Sequence, residues 1–107
     1  MATLKDLVQE RYSEARLVAL TNPDVPASVI NHTNLDAAVA DAEAEFVDHV
    51  GAIFDPANSR HVKTAVAVVE VLLIERGSGG IAAARSLRTR AESSMRSLSA
   101  ASTTSRQ

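Results

Sequence analysis

The sequence has no cysteine. That excludes a disulfide framework and any thiolate metal site. It has no tryptophan, and aromatics make up only 3% of it. Large aromatic side chains therefore contribute little to any core. No apolar run approaches the ~20 residues that span a bilayer. The opening "MATLKDLVQERY" carries charge where a signal peptide needs its apolar stretch, so synthesis in the cytoplasm is expected. Glycine and proline are scarce, with four and three residues, and all but Gly51 fall in "TNPDVPAS", "FDPANS" and "GSGG". Long stretches between these breaks are free to be regular.

What is present is apolar but small. Hydrophobic residues make up 46% of the 107, much of it Ala and Val. This length suits one domain, and so thin a core suits one that completes its burial against a partner. The net charge of −2 hides an asymmetry. Residues 1–76 hold 12 acidic and 6 basic groups; residues 77–107 hold Glu92 and five arginines. An acidic body carrying a basic arm points to an acidic partner for the arm.

The periodicity is helical. Thr3 and Asp6 form a capping pattern ahead of Leu4, Leu7, Val8 and Tyr12. Leu17 and Leu20 leave that face, so the segment breaks at Tyr12-Ser13 and a second short helix begins. After the "TNPDVPAS" loop, Asn34 is the expected cap of a third helix, with Asp36 near its positive end and Gly51 closing it. Leu35, Val39, Ala42, Phe46 and Val50 make its apolar stripe. From about Ser59 to Arg76 runs "SRHVKTAVAVVEVLLIER", with a seam of Val62, Val66, Val69 and Leu73 and apolar groups nearly all round. That is a central helix. A strand at Ala65–Ile74 is the rival on β-branched density, but length and mid-run Glu70 favour helix. "GSGG" (77–80) reads as a flexible joint that lets the segment beyond it swing away from the body. Beyond it Ile81, Ala84, Leu87, Ala91, Met95 and Leu98 form a narrow stripe ending near Leu98, and "SAASTTSRQ" reads as a flexible tail. The expected fold is an all-α bundle of four to five helices: a body over 1–76, a joint over 77–80, and a C-terminal helix and arm over 81–107.

Within "AVADAEAEFVDHVG", Asp41, Glu45 and Asp48 fall within about 60° of one another on a helix. Three carboxylates in one shared environment do not separate their pKa values as acid–base catalysis requires. A di-metal bundle site needs Glu-x-x-His pairs on facing helices, and Glu45 and His49 are four apart with no second pair. The face is therefore expected to be solvated or to meet a partner. His49 reads as a boundary residue, with Glu45 as its pairing candidate. Glu70 is either exposed or buried with a partner. No nucleophile elbow occurs, and "GSGG" lacks the Lys-Ser/Thr of a phosphate loop. No catalytic, cofactor or metal residue is expected. Arg85, Arg88, Arg90, Arg96 and Arg106 form either a solvated face or a protein-docking face. Phosphate neutralisation ranks third, because neither helix-turn-helix spacing nor aromatic interleaving accompanies them.

The order of short motifs resembles the head–tail connector (adaptor) proteins of tailed bacteriophages. The matching positions are Thr3, Asp6-Leu7, Arg11-Tyr12 and Leu20-Thr21-Asn22, then "LDAAVADAEAEFVDHVG". The likeness is detailed over about residues 3–76 and one of layout beyond. "GAIFDPANSRH" departs from the family pattern, as does the Ser-, Ala- and Arg-rich end. The resemblance implies a non-catalytic helical subunit of the virion neck, in a ring of typically twelve copies. Such a ring sits between the portal and a stopper or tail protein, with DNA passing through it. Arg85, Leu87, Arg88, Met95, Arg96 and Leu98 would then form the partner interface. Asp41, Glu45 and Asp48 would face a neighbour or the DNA channel. A small nucleic-acid-binding or regulatory protein that uses the arginine arm is the alternative.

Overall fold

The computed structural model describes residues 3–22, 27–77 and 79–105, with side chains through Ser99. Much of the predicted Pro-containing loop, as well as Ser78 and Arg106, lies outside the described residues. The chain is all-α: α1 (Leu4–Arg11), α2 (Glu14–Thr21), α3 (His32–Val50), α4 (Ser59–Glu75), α5 (Gly80–Ala83) and α6 (Arg85–Ser105). No strand occurs among the described residues, so the valine-rich run is helix throughout. The sixth helix arises because a single helical turn, α5, starts at the last residue of the joint.

Local signals set the boundaries. The Thr3 hydroxyl accepts from the Asp6 amide at 3.3 Å, and the Thr3 amide donates to the Asp6 carboxylate at 3.1 Å. These bonds hold the Asp6 carboxyl below its ordinary pKa. Tyr12 is extended and stops α1, and the Ser13 side chain caps α2. Gly51 closes α3 with φ 79°. Asn58 opens α4 by accepting from the amides of Arg60 and His61.

The cap of α3 is Asn31, three residues before the expected Asn34. Asn31 accepts from the Asn34 amide at 3.1 Å. The Asn34 side chain is used elsewhere, donating to the Thr21 carbonyl at 2.8 Å. The Thr21 hydroxyl donates to the Leu17 carbonyl at 2.7 Å and accepts from the Asn31 amide at 2.9 Å. These bonds stitch the end of α2 to the start of α3. Asp36 lies one turn further in and pairs with Lys5 of α1 at 2.8 Å.

The core is a triangle of α3, α4 and α6, each packed on the other two, with α1 and α2 laid over α3 and α4. All five residues of the expected α3 stripe are buried, Phe46 completely. Its ring meets Phe54 edge-on at 5.8 Å and lies 4.9 Å from His61. On α4, Val66, Val69 and Leu73 are buried and Val62 is packed at the margin.

Two expectations about the C-terminal part change. Gly80 is buried, and a Cβ there would fall on the Ile74 carbonyl. The glycine is needed for close approach, and so the joint is packed where it was expected to swing. The last helix continues to Ser105 rather than ending near Leu98. Nothing in "SAASTTS" breaks a helix, and alanine favours one.

Candidate functional site

The acidic face of α3 meets the chain's own arginines. Asp41 accepts from Arg76 at 3.3 Å and Glu45 from Arg88 at 3.1 Å. Arg88 also grips both carboxylate oxygens of Glu75, at 2.5 and 2.8 Å, and lies 3.5 Å from Glu92. Its guanidinium pKa is raised, first by the bonds to Glu75 and then by those to Glu45. One partly buried cation thus ties α3, α4 and α6 together. Asp48 is exposed and takes no part in the described ion pairs. The His49 Nδ1 lies 2.9 Å from the Glu45 carbonyl, which puts the ring proton on Nδ1. Its partner is the Glu45 backbone, because the Glu45 side chain is taken by Arg88.

The six residues expected to meet a partner separate into three groups. Met95 and Leu98 are buried in the chain's own core, and Arg88 is held in the carboxylate cluster. Leu87 is half-buried at the α4–α6 seam. Arg85 and Arg96 are exposed. The arm therefore docks intramolecularly, because its stripe and Arg88 find complements on α3 and α4.

Glu70 is paired, not free. It accepts from Arg16 of α2 at 3.2 Å, with its side chain 19% exposed. It also adjoins Tyr12, whose hydroxyl pKa is pushed up to about 12, first by burial and then by the charge and hydrogen bond of Glu70. No group of three His, Cys, Asp or Glu suited to a metal ion occurs among the described residues. No helix there is long and apolar enough to cross a membrane.

A surface absent from the sequence reading lies between α4 and α6. It is a groove of about 430 Å³. Ala67, Val71, Leu87, Ala91 and Leu98 give it an apolar floor, and Arg60, Lys63 and Arg90 a basic rim; Thr64 and Glu70 also line it, and the Glu70 carboxylate is neutralised by Arg16. Ser94 and Ser97 line it from α6. Arg60 and Lys63 also border a second hollow, beside Arg11 and Pro56. The described ion pairs use Lys5, Arg16, Arg76 and Arg88, and none uses Arg60, Lys63 or Arg90. Arg60 and Lys63 are three apart on one helix, a signal readable in sequence. Their proximity to Arg90 depends on how α4 and α6 pack.

No family model matches the chain, and neither a curated protein nor a solved structure matches it.

Proposed function

We propose that this protein is a structural subunit of a tailed-phage neck. It is a head-to-tail adaptor that forms a ring, with about twelve copies implied by the family resemblance, between the portal and the stopper or tail, with DNA passing through. The observation that carries the reading is the role of the motif residues at the N-terminal end. Thr3 and Asp6 make the cap of α1, Tyr12 ends it against Glu70, and Thr21 and Asn22 tie α2 to the start of α3. Positions shared with a family through such joints reflect a shared scaffold rather than a shared chemistry. Surfaces of opposite charge that the chain leaves unsatisfied also suit a subunit completed by neighbours. The reading assigns no catalytic residue, no cofactor and no membrane contact, and places the mature protein in the virion after synthesis in the host cytoplasm.

The second reading, a small nucleic-acid-binding or regulatory protein, draws on the free cations Arg60, Lys63 and Arg90, joined by exposed Arg85 and Arg96 of the arm. Particle images of the purified protein, alone and with portal rings, separate the two. The adaptor reading expects rings, free or seated on the portal. Monomers that ignore the portal but bind duplex DNA with steep salt dependence would replace it with the second reading.

A further inference from the structure

Among the described residues, two surfaces carry charges that the chain does not use on itself. The first is the outer face of α3. Ala40, Ala44 and Val47 are exposed there at i, i+4 and i+7. At 100° per residue, Glu43 and Asp48 flank that line on either side. Neither carboxylate belongs to a described ion pair. The second surface is the α4–α6 groove, with its three unpaired cations. Since α3 packs on both α4 and α6, its outer face and the outer groove point away from each other.

We propose that the outer face of α3 in one copy seats in the α4–α6 groove of the next copy. Charge selects this occupant: Glu43 and Asp48 supply the carboxylates that Arg60, Lys63 and Arg90 lack. Shape agrees with charge. Small residues on the inserted face (Ala40, Ala44) meet small residues in the groove (Ala67, Ala91, Ser94), so the helix axes can close to about 8–10 Å. The apolar floor argues against a polyanion, which would meet the rim and leave the floor wet. The two surfaces differ, so the contact is heterologous: each copy offers one of each, and repetition closes a ring or extends a filament. The proposal deepens the adaptor reading and rests on it for closure into a ring.

Charge reversal tests it. One variant carries Glu43→Lys and Asp48→Lys on the inserted face; the other carries Lys63→Glu and Arg90→Glu on the groove. All four residues are exposed, and a thermal melt checks each fold. Sedimentation velocity at low salt should show that each variant associates at least tenfold more weakly than the wild type. In an equimolar mixture the intact α3 face meets the intact groove and the reversed face meets the reversed groove, so the two variants should co-assemble in alternation. A chain with all four reversals should regain self-association. Because the native chain has no cysteine, Val47→Cys and Ser94→Cys chains provide a second readout. When mixed and mildly oxidised, they should yield a crosslinked heterodimer even if the contact is weak. Wild-type rings that persist in the reversal variants would refute this interface and leave the adaptor reading standing. A wild type that stays monomeric with and without portal, together with cysteine-bearing chains that give no crosslink, would refute both. Groove variants that lose duplex DNA binding while self-association is unchanged would also refute the interface, and would assign the groove to a polyanion.

Discussion

α3 and α6 are the two longest helices, 19 and 21 residues, and they are held in place by different physics. α3 has a side-chain cap, a glycine stop and six buried apolar residues centred on Phe46. α6 buries Ala91, Met95 and Leu98, and its attachment is reinforced by the Arg88 cluster. A helix with a full apolar stripe is fixed mainly by burial. One with a thin stripe leans on charge, and charge responds to salt and pH.

The sharpest way to break this contrast is to empty the α3 side of the core. Phe46→Ala should cost about 3–5 kcal/mol, since it removes a fully buried ring. Urea unfolding should show a lowered midpoint for the whole molecule, with α6 lost together with α3. Next comes Arg88→Met, which keeps much of the packing and strands Glu45 and Glu75. The loss should be about 2 kcal/mol, in the range of charged hydrogen bonds. Its signature is regional: amide exchange should quicken along α6 far more than along α3. Uniform quickening would mean that α6 is part of one cooperative core and the contrast is false.

The smallest effect belongs to Tyr12. Its folded pKa of about 12 stands above the unfolded value of about 10. A raised acid favours the folded state while neutral, so the contribution is complete below pH 10 and drains away as pH rises from 10 to 12. Tyr12→Phe should flatten the alkaline limb of a thermal-melt profile over that window and leave the neutral range nearly unchanged. An unchanged alkaline limb would show that the hydroxyl is not shielded.

What was legible in the sequence was what lies within one turn of helix. The Tyr12-Ser13 break, the Gly51 stop, the α3 stripe and the choice of helix over strand for the valine run all depend on spacings of four or fewer. The cap of α3 was misplaced because two asparagines three apart offer the same chemistry. The choice was settled from outside the helix, by the Thr21 carbonyl that claims the Asn34 side chain. The acidic face was legible as a face, but its partners were not. Arg88 is 43 residues from Glu45 in sequence, and no local pattern announces that meeting. The basic groove was missed for the same reason, since it exists only once α4 and α6 lie side by side. Gly80 misled in another way: a glycine required for close packing has the same letter as one in a flexible linker.

The Arg88 cluster also bears on the order in which the molecule is made. Synthesis runs from the N-terminus, so Glu45 and Glu75 are made before the cation that joins them. Without residue 88 those two carboxylates would have no shared cation, and without Met95 and Leu98 one side of the core would be uncovered. A body without α6 would be looser than the finished one, and α6 acts as a latch on helices made before it. A chain truncated before Arg88 would carry the sequence of five of the six helices and still lack the residue that locks two of them to the third.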